Sequence, residues 1–318
     1  MFSIVRRFFS RIEAQPTPVD LPSPVAMNAS MAKLPIFPPL PLPEGVSEKE
    51  LFDFVTSVRV ADAPEDEMRR YGTLDFKRFV YTLGLINRRD CDCLELGSNP
   101  YFTTMLLDRY AGVRLTLANY FGVSPKERQS QVVAYRENGE ENTKTFSYDA
   151  FNLESETFPY ADESFDFVIF AEIIEHLLND PCKVLREIHR ILRPGGQLIL
   201  TTPNATRLEN VAKFVAGVNI YDPYSGYGPY GRHNREYIRH ELVQLLTHEG
   251  FSPDLHFTAD VNKNDAAHFA DIEKLLELVQ FRQYDLGQYL FVRAVKAERR
   301  TELLPAWLYR SYDASRLI

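Results

Sequence analysis

The feature that most constrains this chain is the alternation of short apolar segments with helical segments after residue 90. Short apolar runs bounded by turn residues indicate strands, and the amphipathic stretches between them indicate helices. Strands joined by helices cross over to lie parallel, with helices on both faces of the sheet. The sequence therefore predicts an α/β fold with a doubly wound, mostly parallel, seven-stranded sheet. The predicted strands are residues 91–96, 113–119, 144–148, 165–170, 197–202, 252–258 and 288–295.

The segments outside this sheet differ from it in composition. Residues 1–14 are amphipathic and basic, with Phe2, Ile4 and Phe8 on one side of a helical wheel and Arg7 and Arg11 on the other. Three interpretations are open: a helix in peripheral contact with anionic lipid, an organellar transit peptide, or a frayed tail. The other predicted segments are a proline-rich linker at 15–45, a helical extension at 46–90, the main domain at 91–296 and a tail at 297–318.

Composition narrows the class of partner and the compartment. The formal net charge is -8, which argues against nucleic acid as a partner, because phosphate backbones bind basic surfaces. Three cysteines without a pairing framework suit a reducing compartment. No apolar run approaches the length that crosses a bilayer. The predicted location is cytoplasmic, with membrane association through residues 1–14 as an open interpretation.

The candidate site residues follow the strands, because ligands of doubly wound sheets bind at the carboxyl ends of their strands. The first strand ends in an acid, and a glycine two positions later lets a ligand approach the backbone. The second, third and fourth strands also end in polar or small residues. The candidates at these ends are Glu95, Gly97, Ser98, Asn119, Tyr120, Asp149, Ala150, Ala171 and Glu172.

The most specific stretch of sequence runs from Phe158 to Gly196. It reads FPYADESFDFV, then AEIIEHL after the fourth strand, then RILRPGG after the next helix. Together with the acid and glycine of the first loop, this ordered series resembles the class I S-adenosylmethionine-dependent methyltransferases. Within that family it looks like the ubiquinone-type small-molecule branch.

The resemblance implies a Rossmann-like sheet whose last strand is antiparallel, and S-adenosyl-L-methionine as the cofactor. It implies that the first and fourth loops approach the methionyl end of the cofactor, including Ala171 and Glu172. Residues at the end of the second strand would bind the ribose and the adenine, and Asp149 and Ala150 would contact the adenine. The chain departs from the family pattern at some positions. Asn99 and Tyr101 stand where the family usually has glycines, and Asn119 stands where it usually has an acid.

The acceptor side is predicted from histidines and tyrosines. His176 and His233 are candidate general bases, since histidine transfers protons near neutral pH, although a structural role is equally open. Between the fifth strand and the next helix, glycines permit a mobile lid and tyrosines offer flat surfaces for a substrate. The predicted substrate-binding residues of this lid are Tyr224, Tyr227 and Tyr230.

The predicted reaction is O-methylation of a small-molecule or glycan-type hydroxyl acceptor, without a metal. One alternative is a non-catalytic binding protein with a methyltransferase fold, which the altered first loop and the missing ribose acid favour. Another is a dinucleotide oxidoreductase, which the absence of a G-x-G-x-x-G turn disfavours.

Overall fold

The computed structural model describes residues 35–60, 63–226, 228–299 and 301–318. The predicted amphipathic segment and most of the predicted linker lie outside these ranges. The described residues between 35 and 301 belong to one compact unit, and the C-terminal residues from Glu302 to Ile318 belong to a second unit. Among the helices within the described ranges, none combines the length and the apolar character that a membrane span requires.

The described part of the larger unit is built on one nine-stranded sheet. Its spatial order is β1-β4-β5-β3-β2-β6-β7-β9-β8. The strands are β1 (Arg59–Val60), β2 (Asp92–Leu96), β3 (Arg114–Asn119), β4 (Gln129–Glu137), β5 (Glu140–Ala150), β6 (Phe165–Ala171), β7 (Leu192–Pro203), β8 (Phe251–Ala259) and β9 (Tyr289–Lys296).

The predicted architecture is confirmed at the centre of this sheet. Strands β5, β3, β2, β6 and β7 run parallel to one another, and β9 pairs antiparallel with both β7 and β8. The strand order reverses between β2 and β6, which is the switch point where such sheets bind ligands.

Two strands extend the sheet beyond the seven that were predicted. Strand β4 turns back through Asn138 and Gly139 and pairs antiparallel with β5 along its length. Both turn residues have positive φ, as a two-residue hairpin turn requires. The hairpin therefore adds β4 to the outer edge of β5, and the short strand β1 pairs with the outer edge of β4.

Eight α-helices within the described ranges accompany the sheet. They are α1 (Glu48–Val55), α2 (Glu65–Leu74), α3 (Phe76–Gly84), α4 (Phe102–Leu106), α5 (Pro181–Ile191), α6 (Leu208–Val215), α7 (Arg239–His248) and α8 (Ile272–Leu278). Local signals fix several of their starts. Ser47 and Glu50 form a capping box at α1, and Asp180 caps α5 ahead of a proline at its first position.

Helix α3 packs on the central sheet and carries residues toward the carboxyl ends of its strands. Tyr81 of α3 contacts Phe257 and Phe291, whose rings stack with a centroid distance of 5.0 Å. On the same helix, Phe79 stacks on Phe102 of α4 at 5.0 Å. This packing brings the side chain of Arg78 to the switch point of the sheet.

Candidate functional site

A cavity of about 380 Å³ lies at the carboxyl ends of β2, β3 and β6. It is the place where the fold would hold a ligand, because the order of the strands reverses there. Most of the predicted cofactor residues line it, namely Glu95, Gly97, Ser98, Asn119, Tyr120, Ala171 and Glu172. His176 and Tyr230 also line it, whereas Asp149, Ala150, His233 and Tyr224 are not among its lining residues.

The loop after β2 forms one wall of the cavity. Gly97 has φ of +68°, and a Cβ atom there would lie 2.9 Å from the Cδ1 atom of Ile173. A side chain would therefore both strain the backbone and collide with Ile173. The glycine turn lets Ile173 pack directly on the loop, and both residues line the cavity.

Glu95 is the acid at the end of β2, and it is buried. Its Oε2 atom accepts a hydrogen bond of 2.6 Å from the hydroxyl of Thr104. Burial raises the pKa of Glu95 to about 8, which the hydrogen bond from Thr104 only partly offsets. The carboxyl group is therefore mostly protonated at neutral pH.

Asn119, at the end of β3, is only 4% exposed. Its side-chain oxygen accepts a 2.9 Å hydrogen bond from the amide of Asn99. Its nitrogen donates to the Ser98 hydroxyl at 2.9 Å and to the Tyr101 hydroxyl at 3.2 Å. Next to it, Tyr120 is 38% exposed and presents its ring to the cavity.

The structure places Asp149 in a different environment from the one predicted. Its carboxylate pairs with Arg128 at 3.0 Å and accepts a 3.0 Å hydrogen bond from the Tyr160 hydroxyl. The cavity wall begins instead with the residues that follow Ala150, which include Phe151. The adenine contact of Asp149 stays a prediction.

Arg78 is a lining residue that the sequence reasoning missed. It is 4% exposed, and it donates to Asp75 at 2.9 Å and to the Tyr71 hydroxyl at 2.5 Å. It is the only arginine or lysine that lines the cavity among the described residues. The local sequence of α3 reads as an ordinary amphipathic helix, so no signal distinguishes Arg78 before the helix is placed.

Glu172 follows β6 and shares the cavity with Arg78. Its backbone is left-handed, with φ of 54°, and its Oε1 atom accepts a 2.8 Å hydrogen bond from Thr201. Burial raises the pKa of Glu172, while the positive charge of Arg78 opposes that shift. Both side chains line the cavity, beside the rings of Tyr71 and Phe79.

The two predicted bases lie against each other, but only one lines the cavity. The rings of His176 and His233 meet edge to face with a centroid distance of 5.0 Å. Nδ1 of His176 donates to the carbonyl of Arg232 at 2.9 Å, which leaves Nε2 as the acceptor nitrogen. Burial and the neighbouring His233 lower the pKa of His176, so its ring is neutral at pH 7.

His233 is held by Glu236, whose carboxylate lies 2.9 Å from Nδ1 of the ring. Although burial favours the neutral ring, this hydrogen bond and the charge of Asp222 raise the pKa of His233. His233 therefore favours the protonated form more than His176 does. His176 is thus the neutral ring that lines the cavity, and His233 is the more basic ring that packs against it.

Glu175 joins the two histidines in a cluster that the sequence reasoning did not assemble. One carboxylate oxygen and one nitrogen from each ring lie within 4.8 Å of one another. Glu175 is fully buried, and its Oε1 atom has no hydrogen-bond partner among the described residues. These three side chains could hold a cation, while the metal-free reaction stays a prediction.

The segment between α6 and α7 covers part of the cavity. Tyr230 donates a 3.0 Å hydrogen bond to Glu154, a buried carboxylate that also accepts from the amide of Asn179 at 2.7 Å. Tyr224 is 92% exposed and lies against the Arg232 guanidinium. Tyr227 lies outside the described residues. Of the predicted lid tyrosines that can be placed, the structure brings Tyr230 to the cavity.

A doubly wound sheet with a glycine turn and a cavity at its switch point defines the class of α/β proteins that bind a nucleotide-type cofactor. Comparison with known proteins narrows that class. Residues 94–200 match a family described as a methyltransferase domain. Residues 94–200 therefore carry the features of a class I S-adenosylmethionine-dependent methyltransferase domain and are similar to its ubiquinone-type branch; the cofactor of this family is S-adenosylmethionine.

Individual relatives cover only part of the chain. The mitochondrial ubiquinone biosynthesis O-methyltransferase of Rattus norvegicus is 29% identical over 140 residues, which are 39% of each chain. Its Mus musculus counterpart is 27% identical over 140 residues, 39% of this chain and 36% of its own. The chain thus spans about two-fifths of the length of these curated relatives. A solved S-adenosylmethionine-dependent methyltransferase from Mesorhizobium loti is 14% identical, covers 70% of this chain and 98% of its own, and has a TM-score of 0.42.

Proposed function

We propose that this chain is an enzyme that methylates a hydroxyl group of a small molecule or a glycan with S-adenosylmethionine. The observation that carries the proposal is that one cavity joins the Gly97 turn to the neutral ring of His176. The curated relatives are named as O-methyltransferases, which supports oxygen as the acceptor atom. When bound, the cofactor supplies a methyl group that its sulfonium has already activated.

The residues present fit such a cofactor. Gly97 lines the cavity, and without a side chain its backbone can be approached closely by the methionyl part. Arg78 offers a buried guanidinium, a group suited to an α-carboxylate, since charged hydrogen bonds are the strong ones. The ring of Tyr120 offers a flat face to the adenine.

His176 would accept the proton of the acceptor hydroxyl. Its Nε2 atom is the acceptor nitrogen, because Nδ1 donates to the carbonyl of Arg232, and Oε1 of Glu175 lies 3.8 Å from Nε2. Transfer of an activated methyl group is an in-line displacement, so alignment of the two substrates supplies much of the rate. The Tyr230–Glu154 hydrogen bond holds the covering segment over the cavity, where it would exclude water. His233 would hold the His176 ring in place rather than contact the acceptor.

Partner and location follow as further parts of the proposal. The acceptor is a small molecule or a glycan, and the net charge of -8 disfavours nucleic acid. The basic amphipathic residues 1–14 support a peripheral membrane contact for a protein that otherwise resides in the cytoplasm.

Calorimetric titration tests the cofactor part of the proposal. We expect micromolar binding of S-adenosylmethionine and S-adenosylhomocysteine and no binding of NAD, because the chain lacks the dinucleotide turn. Absence of binding by all three ligands would favour the alternative of a non-catalytic methyltransferase-fold protein. Binding of NAD alone would instead assign the cavity to an oxidoreductase.

Substitution of Arg78→Met tests how the cofactor is held. We expect S-adenosylhomocysteine to bind roughly 10- to 100-fold more weakly, the usual effect of losing a hydrogen bond to a charged group. 5′-Methylthioadenosine, which lacks the amino-acid part, should bind as it does to the unaltered protein.

Arg128→Met is the matched control for the Arg78 experiment. Arg128 is also an arginine near the site, but it pairs with Asp149 and does not line the cavity. The control should leave both affinities unchanged. An equal loss of both ligands in the Arg78 variant would show that Arg78 supports the fold and not the carboxylate.

A further inference from the structure

The side chain of Asn119 has no donor left for a ligand. Both hydrogens of its amide nitrogen are used, one on the Ser98 hydroxyl and one on the Tyr101 hydroxyl. Its oxygen accepts from the backbone amide of Asn99, and this fixed donor sets which way the amide group points. Since the side chain is 4% exposed, these bonds are made out of contact with solvent.

Gln131 determines which groups of this hydrogen-bond network donate and which accept. The Oε1 atom of Gln131 accepts from the Tyr101 hydroxyl at 2.7 Å and from the side-chain amide of Asn99 at 3.2 Å. A hydroxyl carries one proton, so Tyr101 donates to Gln131 and can only accept from residue 119. Residue 119 must therefore be a donor toward Tyr101, which an amide satisfies and a carboxylate does not.

The network also stabilises an unusual backbone conformation at Tyr101. Tyr101 is a fully buried residue in the left-handed region, with φ of 71°. Its ring stacks on Phe146 of β5 at 5.5 Å, and its hydroxyl bridges Asn119 and Gln131. These contacts with the β4–β5 hairpin offset the strain of a side chain where a glycine would be comfortable.

Doubly wound nucleotide-binding domains usually place an acid at the end of the second strand, where it bonds the ribose hydroxyls. The other carboxyl groups of the cavity are already bonded within the protein. Glu95 accepts from Thr104, Glu172 from Thr201, and Glu154 from Tyr230 and from backbone amides. Among the described lining residues, every carboxylate thus has a protein donor.

We propose that Asn119 is a positioning residue, which fastens the first loop to the end of β3, and that the cofactor site therefore discriminates little between ribose and deoxyribose. This inference rests on the proposed function, because it concerns how the same cavity recognises S-adenosylmethionine. Affinity would come from the methionyl and adenine ends of the cofactor, and the sugar hydroxyls would contribute little.

Comparison of the affinities of two ligands for the unaltered full chain tests the proposal. S-Adenosylhomocysteine and S-(2′-deoxyadenosyl)homocysteine are titrated by calorimetry, and we expect dissociation constants within about threefold of each other. A loss of roughly tenfold or more on removal of the 2′-hydroxyl would overturn the inference, because a charged acceptor contributes that much. Failure of both ligands to bind would overturn the proposed function itself, and this outcome is distinct from strong discrimination.

A double-mutant cycle tests the direction of the network independently. Asn119→Asp should lower the melting temperature, because the introduced carboxylate and Gln131 would compete for the one proton of Tyr101. Tyr101→Phe removes that competition, so the shift caused by Asn119→Asp should be smaller in the Tyr101→Phe background. Additive shifts would contradict the network, as would a tenfold or greater gain in S-adenosylhomocysteine affinity in Asn119→Asp.

Discussion

Replacement of His176 by asparagine is expected to lower methyl transfer by roughly two to four orders of magnitude, which is the usual contribution of a general base. The asparagine amide can still donate to the Arg232 carbonyl, which His176 contacts through Nδ1 at 2.9 Å. The variant therefore keeps the local hydrogen bond and loses only the acceptor nitrogen. Its affinity for S-adenosylhomocysteine should not change.

The measurement is transfer of labelled methyl from S-adenosylmethionine to the best acceptor in a panel of phenols and alkyl glycosides. In the unaltered protein, turnover should rise as pH increases through a pKa below 6.5 and then stay level. The sign follows because burial and His233 lower the pKa of His176, and the neutral ring is the active form. Full turnover in the asparagine variant would exclude His176 as the base.

Two further experiments distinguish a general base at His176 from a positioning role of His233 and from a bound cation. His233→Asn should reduce turnover less, because His233 is not among the lining residues of the cavity. Treatment with EDTA should leave turnover unchanged if the reaction is metal-free, as predicted. Loss of turnover that Mg²⁺, Mn²⁺ or Zn²⁺ restores would instead place a cation among Glu175, His176 and His233, whose ligand atoms converge within 4.8 Å.

Features that depend on local sequence were predictable. The predicted strand at 165–170 corresponds to Phe165–Ala171, and the helix predicted to start at Pro181 does so behind the Asp180 cap. Strand periodicity, helix caps and the order of the segments act over a few residues. They were sufficient to predict the parallel sheet and the edge at which the cavity lies.

Features that depend on distant side chains were not predictable in the same way. Asp149 meets Arg128 and Tyr160 only after β4 and β5 have paired, and Arg78 reaches the cavity only because α3 packs on the sheet. The hairpin is a different case, because Asn138-Gly139 is a strong hairpin signal in the sequence itself. The polar residues of β4 did not indicate a strand, although the Asn138-Gly139 turn after them could have done so.

The departures from the family pattern form one connected unit in the structure. Asn119 bonds directly to Asn99 and Tyr101. Gln131, a residue of the hairpin strand that sequence reasoning missed, links Asn99 and Tyr101. Each departure looked like a separate loss of a glycine or an acid in the sequence. Their common explanation required β4 to be placed beside the first loop.

Glu95→Gln is expected to stabilise the protein at alkaline pH and to leave its stability nearly unchanged near pH 4.5. Burial raises the pKa of Glu95 from 4.5 to about 8 in the folded protein. Between these values the folded state holds a proton that the unfolded state releases, so the free energy of unfolding falls as pH rises. At roughly 1.4 kcal/mol per pH unit, the unaltered protein loses on the order of 5 kcal/mol across this window.

Urea unfolding of both proteins at pH 5, 6, 7 and 8 measures this difference. Other groups titrate equally in the two proteins, so the difference between their unfolding free energies isolates Glu95. Glu50→Gln is the control, because Ser47 lowers the pKa of Glu50 at the start of α1; Glu50 is ionised in both states above pH 5, so its difference should stay constant across this range. A difference between Glu95→Gln and the unaltered protein that stays constant with pH would contradict a protonated Glu95. A growing difference would show that the acid before the glycine turn is neutral at pH 7, and that the cavity carries less negative charge than its sequence implies.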